Sequence, residues 1–134
     1  MNKEFTITQA DFSMTLDVRL INKDFLFTIT GGDVPHIGTI TTRTENGQVE
    51  SVIFPSPSGG MHKDVVLAEL LLEKITSFID GNIVITSGVH VDKILKEQIN
   101  AAFEMINWLA DEFLEWLKEN PVQFVQPKYK KLEN

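Results

Sequence analysis

The chain has 134 residues and a mass of 15.2 kDa, with 43% apolar and 23% charged residues, the composition of one globular domain. It contains no cysteine, which excludes a disulfide framework, a thiolate metal site and a cysteine nucleophile. Twelve basic against nineteen acidic residues give a formal charge of −7, a balance that repels phosphate backbones and anionic lipid.

The first half reads as strands. From Ala10 to Leu20 apolar and polar residues alternate: Ala10, Phe12, Met14, Leu16, Val18 and Leu20 share one face, and Asp11, Ser13, Thr15, Asp17 and Arg19 the other. A period of two with one wet face predicts a strand of an antiparallel sheet. Phe5 to Thr8 is either an earlier short strand or the start of this one. Asn22-Lys23-Asp24 is a turn, and Phe25 to Thr30 the next strand. Gly31-Gly32-Asp33-Val34-Pro35 breaks the pattern, and Ile37 to Arg43 resumes it. Asn46-Gly47 is a hairpin signal, because both residues tolerate positive φ, and Gln48 to Phe54 returns. These strands are expected in meander order.

The segment 55–61 is a loop, and His62-Lys63-Asp64 opens a helix carried by Val65, Ala68, Leu71, Leu72 and Ile75 and stopped by Asp80-Gly81-Asn82. Ile83 to Thr86 is a short apolar run between glycines, expected to be a buried central strand. After Ser87-Gly88-Val89-His90-Val91-Asp92 a long helix is predicted over 93–118, with Asp92 placed as its N-cap. The fold class is therefore α+β: a mainly antiparallel sheet of about five strands, in the order ββββαβα, covered on one side by two helices. Residues 1–120 form the domain and 121–134 a polar tail. The apolar face of the long helix, which includes Ile99, Phe103, Ile106, Phe113, Trp108 and Trp116, is wider than one sheet face requires. A homodimer with this helix at the interface is expected; the competing reading packs it wholly within its own domain.

No uninterrupted apolar stretch approaches the ~20 residues of a membrane span, and Met1-Asn2-Lys3-Glu4-Phe5 lacks a signal peptide's apolar run. A cytoplasmic protein is expected. Lys128, Lys130 and Lys131 form a basic cluster too short to favour nucleic acid.

Chemistry gathers in three glycine-bearing loops, each holding one of the three histidines. They are 30–38, 56–64 and 86–92. Each follows a predicted strand, and two lead into helices, whose N-termini suit phosphate or carboxylate. In the second loop, Gly59 and Gly60 permit close backbone approach, Ser56 and Ser58 supply hydroxyls and Lys63 a positive charge. It is not a P-loop, since the Gly-Lys-Ser/Thr ending is missing. The competing reading is that Ser58 or His62 caps the helix and the glycines make a plain turn. His36, His62 and His90 with Asp33, Asp64 or Asp92 are the candidate metal ligands, but no pair shows ligand spacing on a helix. Ser56, Ser58 and Ser87 lie in no nucleophile elbow. Glu97, Glu104, Glu112, Glu115 and Glu119 read as a solvated helix face.

Thr-Gly-Gly-Asp-Val-Pro-His-Ile-Gly at 30–38, Ser-Gly-Gly-Met-His-Lys-Asp at 58–64 and Ser-Gly-Val-His-Val-Asp at 87–92 resemble the small accessory subunit of gallate decarboxylase, a prenylated-flavin chaperone-like family. The resemblance runs from about residue 10 to 118. It implies a fold similar to proteasome assembly chaperones, with dimerisation, and an accessory role without turnover. Such a protein would hold prenylated flavin mononucleotide, or FMN, and load or maintain it in a partner decarboxylase. The cofactor-binding residues expected on this basis are Gly31, Gly32, Asp33 and His36, then Ser58, Gly59, Gly60, His62 and Lys63, then Ser87, Gly88, His90 and Asp92. The alternatives are a small metal-dependent enzyme using the three histidines, or an assembly factor that carries no ligand.

Overall fold

The computed structural model describes residues 1–56 and 63–131. Six strands form one sheet: β1 (Asn2–Gln9), β2 (Phe12–Ile21), β3 (Asp24–Gly32), β4 (Thr39–Arg43), β5 (Val49–Ile53) and β6 (Ile83–His90). Two helices join them, α1 (Lys63–Ile75) and α2 (Lys96–Glu119), with one short 3-10 turn at Thr76–Phe78. The spatial order is β1-β2-β3-β6-β4-β5. All neighbours are antiparallel except β3 and β6, which run parallel.

The α+β class and the two helices on a mostly antiparallel sheet stand as the sequence predicts. The meander does not: β3 and β4 are not neighbours, because β6 inserts between them. The strands number six because β1 is a full strand. Ala10 is not part of β2; with Asp11 it makes the turn between β1 and β2, both at positive φ (52° and 64°).

Alternation sets the two faces. Met14, Leu16 and Val18 of β2, Phe25, Phe27 and Ile29 of β3, and Ile83 and Ile85 of β6 are buried beneath the helices. α1 lies over β4 and β6, α2 over β1 and β2, and the helices pack on each other. Phe113 of α2 meets the sheet edge-on, its ring centroid 5.0 Å from Phe27 and 5.5 Å from Phe25.

The wide apolar face of α2 is used at home. Ala101, Ala102, Met105, Ile106, Leu109, Ala110 and Phe113 are buried, and Phe103, Leu114, Trp116 and Leu117 pack partly buried against the same core. Only Trp108 of the two tryptophans stays 42% exposed. The helix therefore gives no separate reason for a dimer.

α2 also starts later than predicted, at Lys96, and Asp92 is not its N-cap. Gln98 does that work: its Oε1 accepts the Leu95 N–H at 2.9 Å, and its Nε2 donates to the Ala10 carbonyl at 2.9 Å, tying the helix start to the first turn.

Candidate functional site

The parallel pair β3 and β6 sends both C-terminal ends to the same edge of the sheet. The end of β5 and the start of α1 lie at that edge too, because β5 and β6 both run antiparallel to β4. Topology thus brings the first and third loops together, with the start of α1 beside them.

Backbone hydrogen bonds lay the first loop along the end of β6. The N–H of Asp33 donates to the His90 carbonyl (2.7 Å), that of His36 to Gly88 (3.3 Å) and that of Gly38 to Ser87 (2.8 Å). Two glycines make this approach possible. Gly32 has φ +75° and faces the His90 carbonyl, and a Cβ at Gly88 would collide with the His36 carbonyl. Asp33 then accepts the Asp92 N–H at 2.8 Å.

Two histidine–aspartate contacts result. His36 Nε2 lies 3.4 Å from Asp64 Oδ2 in the first turn of α1, and its Nδ1 lies 3.0 Å from the Val34 carbonyl. Each ring nitrogen therefore faces an oxygen acceptor. Asp64 Oδ1 also accepts the Val89 N–H at 2.9 Å. One carboxylate thus joins the first loop, β6 and α1, and its charge complements the positive end of that helix. His90 Nε2 lies 3.0 Å from Asp92 Oδ1, on an exposed rim.

Of the expected site residues, Gly31, Gly32, Asp33, His36, Gly88, His90 and Asp92 lie together at this edge, with Lys63 opening α1 beside them. Ser58, Gly59, Gly60 and His62 lie outside the described residues. Ser87 is fully buried on the helix side of β6 rather than at the rim. Among the described residues, Ser87 Oγ and Thr39 Oγ1, paired across β6 and β4, are buried hydroxyls without a hydrogen-bond partner. Asp64, grouped in the sequence with the candidate metal ligands, instead joins the elements. Its position in a first helical turn was the available signal.

Among the described residues no three histidine, aspartate or glutamate side chains are placed to share a metal ion. Recesses of about 420 Å³ lie on the open sheet face and beside the C-terminal half of α2, and no histidine lines either. The donor set at the histidine edge suits a ring edge and a hydroxylated chain: imidazoles, carboxylates and backbone groups. A phosphate there has to share the start of α1 with Asp64, so Lys63 is the side chain that would hold it.

Two helices on one face of a mostly antiparallel six-stranded sheet are the architecture of a proteasome-assembly-type chaperone fold. A chain from the crystal structure of a novel chaperone complex for yeast 20S proteasome assembly superposes with a TM-score of 0.51 at 10% identity, over 82% of this chain and 98% of that one. At that identity the likeness concerns the fold alone. The sequence model of the prenylated flavin chaperone LpdD-like domain matches residues 8–118, and the chain belongs to that family. Protein LpdD of Lactiplantibacillus plantarum (strain ATCC BAA-793 / NCIMB 8826 / WCFS1) is 40% identical over 125 residues, covering 93% of this chain and 92% of that protein.

Proposed function

We propose that this chain is a non-catalytic accessory protein that binds prenylated flavin mononucleotide and supports a partner decarboxylase, acting as a cytoplasmic homodimer. Membership of a prenylated flavin chaperone family supports the reading, and one structural observation carries the site. Two loops distant in sequence meet at the end of the parallel β3–β6 pair, and Asp64 ties them to the start of α1.

In this reading His36 and His90 address the ring edge, Asp33 and Asp92 accept from the ring imide or the ribityl hydroxyls, and Gly31, Gly32 and Gly88 let the backbone come close. Lys63 meets the phosphate, and Ser58, Gly59, Gly60 and His62, which precede it in the sequence, are proposed as further contacts. Ser87 supports the rim from below.

The test is a fluorescence titration of the purified chain with prenylated flavin mononucleotide. Saturable binding is expected, with Kd raised about tenfold or more by Lys63→Ala, since one charge-assisted hydrogen bond is worth about 1.5–3 kcal/mol. His36→Ala is expected to weaken binding as well. Unchanged affinity in both variants removes the site, and no binding by the wild type removes the cofactor.

A further inference from the structure

The two edges of the sheet are finished differently. β1 shows the solvent Lys3, Glu4, Thr6 and Thr8, and packs Phe5 and Ile7 against the core. β5 has no such protection: all five of its residues are exposed, Val49, Val52 and Ile53 at 52%, 56% and 45%. Lysine, proline and bulges are the usual guards of an edge. β5 holds neither residue, and its five pairs with β4 run without a break.

Register fixes which backbone groups that edge offers. The Phe54 N–H donates to the Gly38 carbonyl and the Thr44 N–H to the Gln48 carbonyl, both at 2.9 Å. Hydrogen-bonded pairs alternate in an antiparallel ladder, so residues 48, 50, 52 and 54 bond toward β4. Val49, Ser51 and Ile53 therefore direct their N–H and C=O groups outward. Their side chains share the helix side with Thr41, whose hydroxyl lies 2.9 Å from that of Ser51, and Glu50 and Val52 lie on the other side.

We propose that the free edge of β5 receives an extended strand of a protein partner, one with β-branched residues flanking a lysine or arginine. The outward backbone groups of three alternate residues specify a strand rather than a helix. Val49 and Ile53 call for apolar neighbours on the helix side, and Val52 for one on the other. Glu50 calls for the cation. Residues 44–54 contain two acids and no basic residue, and Glu45 is already held by Lys23 at 2.8 Å. A second copy is the wrong occupant, because pairing β5 with itself about Ser51 sets the two Glu50 carboxylates diagonally on one face.

The probe is a fluorescein-labelled peptide, Ser-Val-Ile-Thr-Lys-Val-Ser, which antiparallel to β5 sets its lysine opposite Glu50. Its polarisation with the full chain should rise and saturate below about 1 mM. Glutamate in place of the peptide's lysine should raise Kd about fivefold or more, and Glu50→Lys should reverse that preference. Ser51→Pro removes an outward donor that β4 does not use, and should abolish binding. If that variant fails to fold, the peptide N-methylated at its threonine, the residue facing Ser51, blocks the same pair from the other side. Indifference to both the charge exchange and the blocked pair, or no saturation with the wild type, overturns the proposal. A change of oligomeric state in Ser51→Pro, read by sedimentation velocity, gives the edge to a second copy and overturns it too. None of these results bears on flavin binding.

Discussion

Arg43 shows how one side chain can hold the foot of the fold. It is 7% exposed and sits on the helix side of β4. Its guanidinium donates to carbonyls: Thr76 at 2.7 Å, Ile79 at 2.9 Å and Gly81, with Thr76 Oγ1 at 2.9 Å. The Thr76 and Ile79 carbonyls follow the ends of α1 and the 3-10 turn, where backbone acceptors lose their helical donors and the helix dipole is negative, and Gly81 lies just beyond. Arg43→Met keeps the aliphatic bulk and strands those acceptors in a buried site. The expected loss is about 3 kcal/mol, summing several unsatisfied carbonyls at the lower end of their cost, read as a drop in the urea midpoint. A loss below about 1 kcal/mol would mean that water replaces the guanidinium freely.

At the scale of elements, one aromatic ring of α2 stands at the centre of its contact with the sheet. Phe113 is fully buried and stands edge-on to Phe25 and Phe27, with Trp116 6.1 Å away on its other side. Phe113→Ala opens a cavity between helix and sheet that neither can close. It should cost about 3–5 kcal/mol, measured by denaturation. A cost near 1 kcal/mol would show that α2 settles into the space. The helix itself was legible, because its apolar residues recur at helical spacing; so were β2, by its alternation, and the β4–β5 hairpin, by Asn46-Gly47. The position of β6 was not. An apolar run such as Ile83–Thr86 announces burial but names no neighbour, so its insertion between β3 and β4 left no mark in local pattern. The start of α2 misled for a related reason. Asp92 has the chemistry of a cap, but its carboxylate serves His90 and its N–H serves Asp33. At the candidate site, the glycine–histidine loops were legible as loops. Their meeting depends on the parallel β3–β6 pairing, a long-range contact that no window of sequence contains. The sequence pattern places Ser87 in a loop, but β6 runs on to His90 and turns it into the core.

For the whole molecule, the question is where the folded unit stops. The sequence sets the limit at residue 120, but the next five residues are docked. Val122 packs against the core, and Val125 makes a reciprocal pair with Asn22 in the β2–β3 turn, its N–H donating to Oδ1 at 2.8 Å and its carbonyl accepting from Nδ2 at 3.0 Å. Phe124 lies 5.7 Å beneath the Lys23 ammonium. Beyond that clamp residues 126–131 are exposed, Tyr129 by 87%. Truncation after Val125 should therefore leave thermal stability unchanged within about 0.5 kcal/mol, as for other surface changes. Truncation after Asn120 removes two hydrogen bonds, a half-buried valine and a cation–π contact, and should cost about 2 kcal/mol, or roughly 4–8 °C in Tm for a domain near this size. Equal Tm values for the two truncated chains would return the boundary to residue 120. A loss already present on truncation after Val125 would give the basic end of the tail a structural part, since only residues beyond the Asn22 clamp differ between that chain and the full one.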